Sequence, residues 1–436
     1  MGGISPATAP SPEPRVPGAK RGAVDWIVRS PLGAFVFIFV LSFAIRGALL
    51  ASGIIPRDYF RPRGEIGRVA VSLARSGQFA DPYMIPTGPT AHPTPIYAGL
   101  LGLIYSLFGV TVTAGYVRGL LAIATYSALY AMLPWLGGRL GLGTQAGTLG
   151  GIAGAVVPQQ GVAEIIGGAD QPFPAIALGL LAVAFLRRWT EGPSSASRSF
   201  LLGIGCGAAL HLSPPLLLVL LGWMAFELAW SRDRRKWFLL ACIALGAMLA
   251  CVPWAWRNYA AFHELLFIRG NFGLELRIAN HDGAGADIDV TSARDAVFRH
   301  PSANLEEARK VRDLGEAEYM RQARNEALEW IGNHPAEFLR LTLMRIVHFW
   351  CGPLRLPWTA AAVTAVTVLA LLGLRHTLPP LTIPQRAALL IPLATFPLVY
   401  YVVSYVSHYR APLEWMLLLL AGAEVLRWNR RREVEV

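Results

Sequence analysis

Charge is scarce in this sequence: Asp, Glu, Lys and Arg make up 15% of its 436 residues, against 54% hydrophobic, and the mean hydropathy is +0.43. A soluble domain of this size does not carry so little charge, so the class is a membrane protein. The alternation of apolar and polar residues that marks a membrane β-barrel is missing as well. Cysteine is rare, with Cys206, Cys242, Cys251 and Cys351 as the full set. These lie in or beside apolar stretches without the close spacing of a metal or redox motif, which makes them buried core thiols. The formal net charge of +11 comes with no single basic face. Cations scattered over helix ends argue against nucleic acid as a partner and for cytoplasmic loops and membrane lipids. The absence of an internal repeat argues against a transporter or flippase of lipid-linked saccharides, the main alternative for a membrane protein with this polar chemistry.

What is present is a series of apolar runs recurring from Leu32 to Leu426, each near the roughly 20 residues that a helix needs to cross a bilayer. The expected fold is all-α, a polytopic bundle of about ten transmembrane helices with extracytoplasmic juxtamembrane helices and one long extracytoplasmic loop. Residues 1–30, rich in Pro, Ala and Ser, read as a disordered cytoplasmic tail and not as a cleavable leader, because a long span follows at once. Arg15, Lys20, Arg21 and Arg29 hold that tail inside by the positive-inside rule. The first outer loop is then 53–95, within an N-terminal transmembrane module of residues 31–254. Basic ends at Arg139, Arg187, Arg188, Arg232 to Lys236 and Arg427 to Arg432 mark cytoplasmic turns. They agree with one another only if the run from Ile96 to Phe108 does not cross, so it is read as a juxtamembrane helix closed by Gly109. The last outer-leading span before the long loop is placed at 237–254, with the polar segment taken to begin at about Pro253. Residues 255–356 form the extracytoplasmic loop, helical from Asn304 to Trp350 with His334-Pro335 as an interruption. Residues 357–427 return to the membrane, and 428–436 are a basic cytoplasmic tail.

Two outer segments hold the candidate chemistry. In the first, Ile66, Val69, Ala70 and Leu73 share one helical face, so Glu65 and Arg68 project together from another. Arg61, Arg63 and Arg68 should keep Glu65 ionised, leaving a base for an acceptor hydroxyl; Asp58 is a second carboxylate nearby. A solvated ion pair is the plain alternative for Glu65 and Arg68. His92, in the turn-rich stretch before Pro93, is either a substrate contact or an exposed imidazole. Arg257, Asn258, Arg269 and Asn271 open the second segment and serve either substrate or structure. His408 and Arg410 stand at the mouth of the last span, as lipid-phosphate ligands or as interfacial anchors. Asp170 caps the start of a span, with substrate contact as the other reading. His211 and Glu227 lie within spans as isolated polar groups held by snorkelling or local hydrogen bonds.

Three stretches, GEIGRVAVSLARSGQFADPY followed by TGPTAHPTPIYAGLLGLIYSLFG, PWAWRNYAAFHELLFIRGNFGLELRIAN, and SHYRAPLEWMLLLLAG, resemble the GT-C superfamily of membrane glycosyltransferases. The likeness is to the family 39-like bacterial group, which is related to protein O-mannosyltransferases and to the aminoarabinose transferase of lipid A. The resemblance implies an active site on the extracytoplasmic face of a bacterial-type inner membrane. It also implies a polyprenyl-phosphate sugar as donor, inverting transfer to a hydroxyl of a glycolipid, polysaccharide or protein, and a first-loop carboxylate as base, by position Glu65. Relatives often carry an acidic pair in this loop, whereas here Asp58, Glu65 and Asp81 stand apart. No cofactor is expected, and a divalent metal is left open.

Overall fold

Local chemistry sets the helix ends. In the computed structural model, which describes residues 30–156, 168–192, 195–294 and 298–435, Ser30 opens α1 (Pro31–Ala51) by accepting from the Gly33 amide at 3.2 Å. The tail read from 1–30 lies outside the described residues apart from Ser30. α2 (Gly64–Ser76) stops at Gly77, whose φ of 70° is the left-handed end that glycine adopts without penalty. α3 (Pro95–Phe108) packs along α2, and at 14 residues it is too short to cross a bilayer. Thr111 caps α4 (Val112–Ala131) by accepting from the Ala114 amide at 3.3 Å. There follow α5 (Leu133–Leu140), α6 (Thr144–Val156), α7 (Pro172–Glu191), α8 (Ala196–Leu212), α9 (Leu216–Trp230) and α10 (Lys236–Phe262).

The polar segment after α10 holds α11 (Phe272–Ala279), α12 (Ile288–Arg294), α13 (Leu305–Leu314), α14 (Glu316–Asn333) and α15 (Pro335–Cys351). The expected break at His334-Pro335 is there. A second one falls at Gly315, φ 81°. The chain closes with α16 (Pro357–Thr377), α17 (Ile383–Thr395) and α18 (Ala411–Glu435). Among the described residues there is no strand, only isolated bridges between Ala80 and Pro89 and between Asp287 and Tyr405.

Among the described residues, six helical runs are long and apolar enough to cross a membrane, against about ten expected: Pro31–Ala51, Val112–Leu140, Pro172–Glu191, Lys236–Phe262, Pro357–Thr377 and Ile383–Tyr401. The chain is an integral membrane protein by this measure. The apolar helices Pro95–Phe108 and Leu216–Trp230 are shorter. α8 and α9 are separated at Ser213 to Pro215, where two consecutive prolines interrupt the helix. One expectation is corrected: Pro253 does not end its helix but sits inside α10, which runs on to Phe262. The first residues assigned to the loop therefore continue the helix.

α1 packs on α4 and α6, α6 on α18, α18 on α16, and α8 on α10. Because lipid is as apolar as leucine, such contacts depend on close fit. A Cβ on Gly203 would stand 2.1 Å from the Ile243 carbonyl oxygen, so α8 and α10 touch backbone to backbone. Buried charge among the spans is satisfied internally. Glu227, read from sequence as isolated, pairs with Arg188 of α7, which also donates to Ser199, and Trp189 donates to the same carboxylate. His211 makes the local bond expected of it, Nε2 to the Ala250 carbonyl at 3.2 Å.

Candidate functional site

α2 orients Glu65. Its face of Ile66, Val69, Ala70 and Leu73 is taken up by apolar packing, which leaves Glu65, in the first turn, off that face. A carboxylate there also gains from the unpaired amides at the helix N-terminus.

The turn from Phe79 to His92 carries the second group. Asp81, at φ 60°, ties it together by accepting from the Thr87 and Gly88 amides at 2.9 Å each. Three distant side chains clamp it from outside. Arg257 donates to the carbonyls of Thr90 and Phe79, and Arg269 donates to the His92 carbonyl at 2.6 Å. Glu316, at the start of α14, accepts from the Thr90 hydroxyl at 2.5 Å and the Ala91 amide at 2.7 Å. Burial raises the Glu316 pKa to about 7 against the pull of these bonds and of Arg257 and Arg269. The third group arrives from the stretch before α13, where His300 stacks on Phe298 and Ser302 lies two residues on.

Glu65, His92 and His300 converge so that one ligand atom from each lies within 4.8 Å of the others. His300 Nε2 is 3.8 Å from Glu65 Oε1, the Ser302 hydroxyl donates to that same oxygen, and the Tyr83 hydroxyl is 3.0 Å from His92 Nδ1. Burial pushes the Glu65 pKa up, but His92, His300 and the Ser302 hydrogen bond outweigh it and hold the carboxyl at about 2. For His92, burial dominates over the attraction of Glu65 and holds the imidazole at about 3. At neutral pH the pair is an anion beside a neutral ring. These are the protonation states a metal ion requires of its ligands. One carboxylate and two imidazoles suit zinc or a similar divalent ion. With Nδ1 engaged by Tyr83, His92 would offer Nε2, and Tyr83 would be its orienting partner.

Set against family models, curated proteins and solved structures, the chain matches none. The chemistry of the site therefore rests on its own residues.

Of the residues singled out in the sequence, the structure joins Glu65 and His92 directly. Arg257 and Arg269 come in behind them as clamps of the turn. Arg68 donates to the Pro82 carbonyl at 3.2 Å. With Arg61 and Tyr83 it lines an open cavity of about 710 Å3, and Tyr83, whose hydroxyl is 3.0 Å from His92 Nδ1, is shared by cavity and cluster. The expectation that arginines keep Glu65 ionised is corrected: the histidines and Ser302 do so.

The other assignments separate from the cluster. Asp58 is exposed and pairs with Arg61 at 3.5 Å. Asn258 is fully buried, donating to the Leu266 carbonyl at 2.8 Å, and Asn271 donates to Glu275 at 2.9 Å. Asp170 is not the cap of α7, a position held by Gln171. It accepts from Gln171 at 2.9 Å instead, and burial raises its pKa to about 7. Burial depresses the His408 pKa to about 4, which leaves it neutral and weakens its case as a phosphate ligand. Arg410 is spent inside the fold: it donates to Glu414 at 2.7 Å, to Thr367 at 2.8 Å and to the Trp350 carbonyl at 3.0 Å. A guanidinium neutralised in this way is not a free phosphate anchor.

His300, Ser302, Tyr83 and Glu316 were not found from sequence. Ser302 lies 237 positions from Glu65, and Glu316 lies 226 from Thr90. No local periodicity records contacts at such a distance.

Proposed function

We propose that the chain is a membrane glycosyltransferase that moves a sugar from a polyprenyl-phosphate donor to an acceptor hydroxyl, with inversion, at Glu65. The observation that carries this reading is the hydrogen bond from the Ser302 hydroxyl to an ionised Glu65 carboxylate beside an arginine-lined cavity. A hydroxyl already rests where an acceptor hydroxyl would deliver its proton. Glu65 takes that proton, the acceptor oxygen attacks the anomeric carbon, and the bond from that carbon to the phosphate oxygen breaks. The polyprenyl phosphate leaves with the electron pair, its charge met by Arg68 and Arg61. The site faces away from the cytoplasm, because Arg232 to Lys236 and Arg427 to Arg432 gather at other helix ends. The sparse charge of the spans and the lack of a repeat favour this reading over a flippase.

The convergence of Glu65, His92 and His300 supports a second reading, in which Glu65 holds a divalent ion and is not the base. The two readings separate on one pair of variants. Purified protein is given a short-chain polyprenyl-phosphate sugar, and released polyprenyl phosphate and bound metal are both measured. Glu65→Gln should lower turnover by about 100-fold or more if it is the base. His300→Gln should strip bound metal, with turnover falling in step, if the ion is what matters. Turnover unchanged in Glu65→Gln rejects both.

A further inference from the structure

The end of the bundle remote from Glu65 holds a second polar cavity. α18 begins next to Tyr409, which lies within electrostatic reach of Glu65, and at 1.5 Å per residue Arg427 is roughly 25 Å further along it. There Arg427, Arg430 and Arg431, with His376 of α16, line a cavity of about 670 Å3 whose other walls include Leu142, Ala423 and Leu426.

The charge of this cavity is unbalanced. Its one lining acid, Glu424, already pairs with Arg427 and with His376 at 2.9 Å. Arg430 donates to the neutral Gln145 side chain at 3.1 Å, and among the described residues neither Arg430 nor Arg431 has an acidic partner. Arg427 Nη1 is buried without a hydrogen-bond partner. The cavity thus offers two uncompensated guanidiniums and a buried unpaired N–H, a set that calls for an oxyanion with several acceptor oxygens. Around it the surface is apolar: Leu371, five residues before His376, is 56% exposed and Trp428 is 43% exposed. Exposed leucine and tryptophan beside arginines are the pattern of a membrane interface.

We propose that this cavity binds the headgroup of an anionic phospholipid from the leaflet at this end of the spans, the phosphate on Arg430, Arg431 and Arg427 and the acyl chains along α16. The arginines supply charge, and the apolar rim selects an amphiphile over a soluble phosphate. This inference is independent of the chemistry at Glu65.

Native mass spectrometry of the full chain in detergent, titrated with phosphatidylglycerol or phosphatidylcholine, tests it. The wild type should hold phosphatidylglycerol at least about 10-fold more tightly than phosphatidylcholine, and Arg430→Glu with Arg431→Glu should erase that preference, since it reverses the two charges that attract an anionic headgroup. The milder Arg431→Gln, at an exposed position, should reduce it in the same direction and covers the case of a misfolded double variant. Equal binding of the two lipids by the wild type, or an unchanged preference in both variants, overturns the proposal. Displacement of phosphatidylglycerol by millimolar inorganic phosphate also overturns it, by assigning the cavity to a soluble ion.

Discussion

Glu65 and Glu227 are both glutamates near arginines on helices of one membrane protein, yet their surroundings assign them opposite work. Glu227 meets Arg188 through two carboxylate oxygens and takes a further bond from Trp189, so its acceptor capacity is consumed by fixed donors. Glu65 meets two imidazoles and one hydroxyl, beside a cavity of about 710 Å3 that Tyr83 and Arg68 line. A carboxylate closed on a guanidinium holds helices together. One that meets imidazoles and a hydroxyl, with no guanidinium closed on it, keeps an oxygen for a metal or an acceptor hydroxyl. The same contrast divides the arginines, with Arg410 closed on Glu414 and Arg68 left at a cavity wall.

The largest effect that sharpens this contrast is expected at Glu227. Glu227→Gln leaves the Arg188 charge buried and should destabilise the protein by about 3–5 kcal/mol, read as a lowered melting temperature in detergent. Glu65→Gln, which keeps an oxygen to accept from Ser302, should lower it by clearly less. If both variants melt alike, the division between structural and chemical carboxylates fails.

A smaller effect is expected at Glu316, the clamp behind His92. Its folded pKa of about 7 stands above the ordinary glutamate value of 4.5. A raised pKa means the folded state favours the protonated form, so its contribution is fully present below pH 4.5 and is lost as pH rises through 7. The loss is on the order of 3 kcal/mol across that window. Melting temperature should therefore fall from about pH 5 to about pH 8; Asp170, also raised to about 7 by burial, acts in the same window, so Glu316→Gln should make the profile shallower. Glu65 does not compete in this range, because its lowered pKa loses stability only as pH falls toward 2. An equally steep profile in Glu316→Gln assigns the pH dependence elsewhere.

The membrane class and the break at His334-Pro335 were legible because hydropathy and helix breakers are local properties, whereas about ten spans were expected and six runs among the described residues are long and apolar enough to cross. The placement of Glu65 off the apolar face was legible too, because it follows from the spacing of Ile66, Val69, Ala70 and Leu73. Pro253 was misleading because a proline costs one hydrogen bond and a local clash, which a long packed helix such as α10 absorbs. The partners of Glu65, Glu227 and Arg410 were illegible for one reason: charge is visible in a sequence, but the group that neutralises it is chosen by tertiary packing. Arg410 looked like a free cation until Glu414 and Thr367 were seen to enclose it.

The most direct test is turnover of a short-chain polyprenyl-phosphate sugar by the purified chain, with release of polyprenyl phosphate measured for the wild type and for Glu65→Gln at matched melting temperature. Release by the wild type and its near loss in the variant is the expected result. No release by the folded wild type, or equal release by both, contradicts a catalytic Glu65.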